Sequence, residues 1–395
     1  MSDESSQQSY VYFVNRLADE LVASGAITSA AVERAFRKVP RHLFIDRANV
    51  YFDEDPRWRE VFCDHQHPDP AVLDRIYRDS VIQLGQSSTS SEPGCMAWMF
   101  EDLGLRPGMK VFEVGTASGW NAALLAELVG NPSLVYSVEL DPELAGSARR
   151  HLDEAGYGGV TVICGDGAEG HAPGAPYNAI IVTCGCTDLA LSWVEQVSEG
   201  GAILCPLSIA PWGDPPLLAR RVGKALTGHL TRFMSFVPCV SDLVACPVLP
   251  ESMDIDEALN LGPKEAEEPR FVSGLSASDR NSWWSLFLYF STQMGPHQRL
   301  VTAHGFFPLG IADAASREAC ILSDDLTRIR AIGGARLLER FQQMARQWEE
   351  IGRPCLGDYE LIVRPAAEPA IAPADGGVLR RRHFQYVVTV RGSAR

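Results

Sequence analysis

The chain contains 395 residues, of which 46% are hydrophobic and 22% are charged. This composition is typical of a globular protein, and the length indicates two or three domains. The formal net charge of −15 disfavours a nucleic-acid partner, because phosphates would be repelled.

The sequence has no apolar run of the ~18 residues that a membrane span needs. Its polar first residues, 1–8, are not typical of a signal peptide. The ten cysteines show no disulfide-framework spacing. We therefore expect a cytoplasmic protein that does not interact with membranes.

The first predicted elements are helices. Apolar residues at helical spacing end at Gly25, and a second helix is predicted over Ser29–Lys38, before Pro40. A third helix is predicted from Gly94 to Leu103. We expect the helices within residues 9–45 to cap a central sheet.

Strands and helices then alternate. The predicted strands are 111–114, 134–138, 160–163, 178–183 and 202–207, and the helices between them are 120–129, 142–155 and 188–198. This alternation predicts a parallel, doubly wound α/β sheet whose ligands bind at the carboxyl ends of the strands.

The first strand of this series runs into a turn from Gly115 to Gly119, where glycines let the backbone approach a ligand closely. The next two strands end at Glu139 and Asp166, which can accept hydrogen bonds from ribose hydroxyls and from an adenine amino group. The spacing is not the Gly-x-Gly-x-x-Gly of a pyrophosphate cradle, which disfavours a nicotinamide dehydrogenase. A nucleoside pocket without phosphate predicts S-adenosylmethionine as the cofactor.

Residues 32–240 resemble the protein-L-isoaspartate (D-aspartate) O-methyltransferases. The motifs that carry the resemblance are Val39–Phe44, Ile76–Asp79, Thr89–Pro93, Glu113–Trp120 and Phe236–Pro238. The resemblance implies a Rossmann-like class I methyltransferase fold.

The chain departs from the family pattern at Ser88, Ser90, Ala117 and Asn178, and residues 51–73 look inserted. These departures set it apart from an ordinary repair enzyme. They leave the cofactor motifs intact.

By resemblance, Ser91 holds the substrate carboxylate and Thr89 supports the loop. An alternative role for this loop is a helix cap, in which Ser91 or Glu92 caps the helix at Gly94. The predicted cofactor site consists of residues at the strand ends and beside the loop: Ser88, Glu113, Gly115, Thr116, Ala117, Ser118, Gly119, Trp120, Glu139, Leu140, Asp166, Gly167 and Thr183.

The sequence pattern changes beyond Val240. We predict a methyltransferase domain over 1–240, a proline-rich linker over 241–270 and a smaller α+β domain over 271–395. In the last region an apolar stripe predicts a helix between Gly334 and Gly352. Two alternating segments, 359–363 and 384–390, predict paired strands, and 283–290 suits a buried strand or helix.

Two local clusters contain possible metal ligands. Cys63-Asp64-His65-Gln66-His67 and Cys184-Gly185-Cys186 both lack zinc-finger spacing, so we expect no metal.

The long extension resembles that of family relatives that esterify an Asp in a ribosomally synthesised peptide, such as a lanthipeptide, lasso peptide or graspetide. The ester then closes to an aspartimide, which can open to isoaspartate. We therefore expect a carboxyl methyltransferase acting on an Asp in a macrocyclic peptide. The alternatives are a general isoaspartate repair enzyme, a small-molecule methyltransferase and a non-catalytic S-adenosylmethionine-binding module. The sequence leaves the oligomeric state open.

Overall fold

The structure is a computed structural model that describes residues 3–52, 57–85, 88–208, 213–244, 252–262, 264–269, 280–294, 297–303, 307–323, 328–369, 372–373 and 376–390. The chain forms two compact units, Met1–Cys184 with Leu191–Leu204, and Gly185–Ala190 with Cys205–Arg395. This division differs from the predicted boundary at residue 240. None of the described helices has both the length and the apolar character needed to cross a bilayer.

The first unit is built on a parallel sheet flanked by helices. Its helices are α1 (Asp3–Ala23), α2 (Ala30–Lys38), α3 (Pro70–Ile76), α4 (Pro93–Leu103), α5 (Trp120–Val129), α6 (Pro142–Glu154) and α7 (Leu191–Gln196). Its strands are β1 (Arg47–Phe52), β2 (Arg57–Phe62), β3 (Ile82–Gln83), β4 (Thr89–Ser90), β5 (Val111–Val114), β6 (Val135–Glu139), β7 (Thr161–Cys164), β8 (Tyr177–Val182) and β9 (Val197–Pro206).

The parallel strands lie in the order β9-β8-β5-β6-β7, so the predicted doubly wound sheet is confirmed. All four residues of β5 are buried, as expected for a strand covered on both faces. The helix predicted over 188–198 is shorter, because residues from Val197 onward extend and pair with β8.

The predicted insertion has regular structure. Strands β1 and β2 form an antiparallel pair that continues through β3 to β4, and α3 follows β2. The β4 strand contains Thr89 and Ser90, so the insertion belongs to the same sheet as the predicted catalytic loop.

Within the described residues, the strands of the second unit belong to two sheets. Its elements are β10 (Pro216–Val222), β11 (Ala225–Leu230), β12 (Ser252–Asp254), α8 (Ile255–Leu259), β13 (Lys264–Pro269), α9 (Arg280–Gln293), β14 (Gln298–Ala303), β15 (Phe307–Asp313), β16 (Glu318–Leu322), β17 (Arg328–Ile332), α10 (Arg336–Glu350), β18 (Tyr359–Pro365), β19 (Gly376–Arg380) and β20 (Phe384–Val390). One sheet has the order β12-β14-β15-β16-β17-β13, and the other strands run β19-β20-β18-β11-β10.

Several predictions for this unit are confirmed. The apolar stripe lies on α10, and the two alternating segments pair antiparallel as β18 and β20. The segment 283–290 is helical, within α9. The region predicted as a linker, in contrast, has regular structure and contains β12, α8 and β13. Its strands form because β12 pairs with β14 and β13 pairs with β17, far along the chain.

Candidate active site

The turn after β5 depends on a close approach of its backbone to a neighbouring strand end. Gly115 has φ +98°, and a Cβ there would lie 2.3 Å from the Thr183 hydroxyl oxygen. That hydroxyl donates to the Val114 carbonyl at 2.8 Å. Only glycine combines this backbone conformation with this clearance.

Glu139 anchors the turn from the neighbouring strand. One carboxylate oxygen accepts from the Ala117 N–H at 2.8 Å, and the other accepts from the Asp141 N–H at 3.1 Å. Ala117 has φ +48°, a left-handed conformation that is costly for a residue with a Cβ. Glu139 therefore stabilises a strained position of the turn. Each carboxylate oxygen can still accept a further hydrogen bond from a ligand.

Beneath the turn lies a buried polar network. The Glu113 carboxylate accepts from Asn121 Nδ2 and from the Ser137 hydroxyl, both at 2.5 Å, and the Thr116 and Ser137 hydroxyls lie 2.6 Å apart. Burial raises the pKa of Glu113 to about 7, although hydrogen bonds from Ser137 and Asn121 oppose the shift. Glu113 and Thr116, both predicted cofactor residues, thus connect β5 and the turn to β6 and α5.

The remaining predicted cofactor residues lie after β7, after β6 and at the start of α5. Asp166 accepts from the Ala168 N–H at 2.9 Å, and the Gly167 carbonyl accepts from the Trp193 indole at 2.8 Å. Leu140 is exposed. The Trp120 side chain is buried, and its indole donates to the Val39 carbonyl at 3.0 Å.

The predicted catalytic loop is held by a buried guanidinium. Arg41 donates to the Ser91 carbonyl at 2.8 Å, to the Ser90 carbonyl and hydroxyl at 3.2 Å each, and to the carbonyls of Ile76 at 2.9 Å and Ser80 at 3.2 Å. Burial lowers the pKa of Arg41 to about 9. Arg41 lies in the motif Val39–Phe44, but the sequence alone indicated no specific role for it. Its position directly after Pro40 was the only local indication in the sequence that Arg41 has a role.

The helix cap that competes with catalysis is supplied by a different residue. The Gly94 N–H at the start of α4 donates to the Asp79 carboxylate at 2.6 Å. Glu92 occupies the N-cap position, yet its side chain makes no capping hydrogen bond. Among the described residues, the Ser91 hydroxyl forms no hydrogen bond. The structure therefore contradicts the alternative in which Ser91 or Glu92 caps this helix.

A cavity of about 340 Å³ brings Ser88 together with Ala117 and Ser118, which belong to the turn. The remaining lining residues are Phe44, Asp46, Arg47, Leu84, Gly85, Asp141, Glu143, Leu144, Ser147 and His151. The cavity joins the loop side of the predicted site to the turn. Thr89, Ser91, Glu139, Asp166 and Thr183 do not line it.

The structure describes both clusters of possible metal ligands that the sequence contains. Asp64 accepts from the Gln66 and His67 N–H groups at 2.9 and 3.0 Å, which shapes the turn. Cys186 and Cys239 in the second unit place their sulfurs within 4.8 Å of each other. The absence of a bound metal in the functional protein stays a prediction.

The hydrogen-bonding groups of the site suit S-adenosylmethionine. Glu139 and Asp166 place carboxylates at successive strand ends, beside the turn after β5. These acceptors suit hydroxyl and amino groups, whereas phosphate would require donors and positive charge. The geometry thus agrees with the cofactor predicted from the sequence.

Comparisons with known proteins give the same result. A family model described as protein-L-isoaspartate(D-aspartate) O-methyltransferase matches residues 58–242. The chain is 43% identical over 228 residues to the protein-L-isoaspartate O-methyltransferase of Pyrococcus horikoshii. The aligned segment covers 58% of this chain and 92% of that relative. It is 38% identical over 230 residues to that of Ignicoccus hospitalis, which covers 57% of this chain and 96% of the relative.

One solved structure supports the fold over a longer stretch. A protein-L-isoaspartate O-methyltransferase superimposes with a TM-score of 0.52 at 24% identity. The match covers 88% of this chain and 96% of the other.

Proposed function

Because the chain belongs to the protein-L-isoaspartate O-methyltransferase family and is an S-adenosylmethionine-dependent methyltransferase, we propose that it methylates the side-chain carboxylate of an Asp in a conformationally constrained peptide. The observation that carries this proposal is the Ser91 hydroxyl. It is uncommitted among the described residues, in a loop whose backbone Arg41 fixes from behind.

The residues have distinct tasks in this reaction. When bound, S-adenosylmethionine supplies an electrophilic methyl group. A substrate carboxylate is already an anion, so the protein needs to supply orientation rather than a general base. Ser91 donates a hydrogen bond to one carboxylate oxygen and leaves the other oxygen to react, while Thr89 stabilises the loop. Glu139, Asp166, Thr183 and the turn hold the cofactor.

The ester product explains why a constrained peptide suits this chemistry. The following backbone nitrogen can attack the ester carbonyl, with loss of its proton and departure of methanol, to close an aspartimide. A linear peptide loses considerable conformational entropy when it docks, whereas a macrocycle has already lost much of that freedom. A site that requires one fixed Asp geometry therefore favours the macrocycle.

Residues 271–395 are the substrate-recognition region in this proposal. The stripe on α10 is buried, with Phe341 and Trp348 fully inside, so recognition has to use other surfaces. Arg380 at the end of β19 and Arg382 in the turn before β20 are exposed and would attract an acidic peptide. Replacing both with Glu in the full chain should raise KM for the peptide without changing cofactor affinity.

Removing the later region is not a suitable test. Strand β11, within the predicted methyltransferase domain, pairs antiparallel with β18 through residues such as Leu226 with Val363 and His229 with Glu360. A chain cut at residue 240 would expose that strand edge, and exposed edges promote aggregation. Substitutions in the full chain avoid this problem.

The test of the proposal uses four peptides of one sequence: linear with Asp, linear with isoaspartate, cyclised with Asp and cyclised with isoaspartate. Mass spectrometry detects the ester as a gain of one methylene and the imide as a loss of one water. We expect the cyclised Asp peptide to react with the highest kcat/KM. Faster reaction of the linear isoaspartate peptide would refute the proposal.

Faster reaction of the linear isoaspartate peptide would instead identify a general repair enzyme. This alternative is favoured by a specific observation, since both relatives named above are protein-L-isoaspartate O-methyltransferases that the chain covers almost completely. The fold match over 88% of the chain also means that the later region does not by itself distinguish the two functions. The choice of substrate does.

A further inference from the structure

His151 on α6 contacts the cofactor turn at a residue next to the one that Glu139 anchors. It is buried, and its Nδ1 lies 3.0 Å from the Ser118 carbonyl oxygen. A carbonyl oxygen can only accept, so Nδ1 carries the proton in this contact. The imidazole thereby fixes the orientation of the Ser118 carbonyl.

Asp46 lies against the other side of the ring. Its carboxylate oxygen Oδ2 lies 3.1 Å from His151 Nε2, a close contact without the alignment of a hydrogen bond, and 2.7 Å from Arg150 Nη2. The opposite oxygen, Oδ1, lies 3.6 Å from His65 Nε2, and the His65 and His151 ring centroids are 5.9 Å apart. The aromatic ring of Phe44 completes the surroundings at 6.3 Å between centroids.

The inserted segment holds Asp46 in place. The Cys63 N–H donates to the Asp46 carbonyl at 2.9 Å, directly after β2, and His65 Nε2 contacts the Ile45 carbonyl at 3.1 Å. A continuous chain of contacts therefore runs from the insertion through Asp46 and His151 to the turn.

The two anchors hold the two peptide units that flank the Ala117–Ser118 peptide. Glu139 accepts from the Ala117 N–H, while His151 donates to the carbonyl of the next residue, Ser118. Between them lies the left-handed Ala117, whose conformation is unfavourable without such support. His151, Asp46, Ala117 and Ser118 also line the same cavity.

We propose that His151, oriented by Asp46 and the inserted segment, is a positioning residue that preorganises the turn for S-adenosylmethionine. Without it, the turn would sample other conformations and binding would have to select the competent one, which lowers affinity in proportion. The inference rests on cofactor binding and is independent of the peptide substrate.

The experiment compares His151→Leu with His151→Asn in the full chain. Asn carries an amide nitrogen near the Nδ1 position and can still donate to Ser118, whereas Leu cannot. Calorimetry with S-adenosylhomocysteine needs no peptide, so a wrong peptide assignment cannot affect it. We expect Leu to weaken binding about tenfold and Asn less than about threefold.

Asp46→Ala, at a half-exposed carboxylate, provides a second variant if His151→Leu does not fold, with an expected loss of about threefold. His67→Leu, at an exposed histidine in the same inserted segment, is the control and should bind normally. Thermal unfolding of the cofactor-free proteins separates affinity from stability. The proposal is overturned if Leu and Asn bind equally well, if Asp46→Ala binds normally, or if the variants lower Tm without changing Kd.

Discussion

The turn after β5 and the loop around Ser91 both prepare the site, but their shapes have different origins. The turn is set by its neighbours in the sheet, since Gly115 packs against Thr183 and Glu139 anchors Ala117. The loop is set by Arg41, about fifty positions earlier in the chain. A turn that needs glycine leaves a local sequence pattern, whereas a loop held by a distant cation does not.

The largest expected effect is that of Arg41→Met. It removes the donor shared by the carbonyls of Ser90 and Ser91 and those of Ile76 and Ser80, and buried acceptors without partners cost about 1–3 kcal/mol each. We expect the free energy of unfolding to fall by about 4 kcal/mol in urea titrations. Methyl transfer should fall with it.

Two variants sharpen this result. Arg41→Lys should recover less than half of the loss, because an ammonium cannot span acceptors on both sides as a guanidinium does. Arg37→Met breaks only partly exposed ion pairs and should cost less than about 1 kcal/mol. Equal effects of Arg41→Met and Arg37→Met would mean that the loop supports itself.

Ser91→Ala tests the loop's chemical role. We expect methyl transfer to fall about 100-fold, by analogy with the loss of one positioned donor at a developing charge. Cofactor affinity and Tm should stay unchanged, because the hydroxyl supports no described contact. Full activity in this variant would favour the non-catalytic or purely structural reading of the loop.

Ser29→Ala is the matched control for Ser91→Ala. The Ser29 side chain caps α2 by accepting from the Val32 N–H. Its loss should cost about 1 kcal/mol of stability and leave activity intact. Ser91→Ala should therefore lower the rate of methyl transfer without lowering stability, whereas Ser29→Ala should lower stability without lowering the rate.

Gly115→Ala tests the turn. The new methyl group would collide with the Thr183 hydroxyl at 2.3 Å in addition to occupying a left-handed position. We expect a loss of about 2–3 kcal/mol in stability and weaker cofactor binding. Gly25→Ala is the control, because Gly25 has φ +76° with nothing within 4 Å of the added methyl, and it should cost only about 1 kcal/mol. Adding Thr183→Ala to Gly115→Ala should restore part of the difference.

Glu113 predicts a pH dependence of stability. Burial raises its folded-state pKa from 4.5 to about 7, so the folded protein binds the proton more tightly than the unfolded chain does. The resulting stabilisation is present below pH about 4.5 and is lost as the pH rises through about 7. Glu113→Gln should flatten this part of the profile, measured as Tm against pH. An unchanged slope would assign it to other groups.

The sequence was sufficient where the determining contacts are local. The bounds of β5 and α5 were predicted correctly, since a short apolar strand, a glycine turn and a largely apolar helical run follow one another directly. The buried carboxylate of Glu113 also lies within this segment, although its network with Ser137 required the sheet register.

The sequence was insufficient where the partner lies far along the chain. Asp79, not Glu92, caps α4, and nothing in the spacing of fifteen residues reveals this contact. The strand β13 pairs with β17 although its acidic, proline-flanked sequence suggested a linker. The Trp120 indole lies in the core because Val39 provides its acceptor, so its predicted cofactor role is limited to its main chain.

The smallest expected effect has the opposite sign. Ala117 adopts φ +48°, which costs an alanine about 1–2 kcal/mol more than a glycine, while glycine raises the entropy of the unfolded chain by an amount equivalent to about 0.4–1 kcal/mol. Ala117→Gly should therefore stabilise the protein by about 0.5 kcal/mol in urea titrations. Ala31→Gly, at an exposed position of α2, should destabilise it by about 1 kcal/mol. If both substitutions destabilise alike, Glu139 and His151 do not hold a strained residue, and the turn is less constrained than the loop.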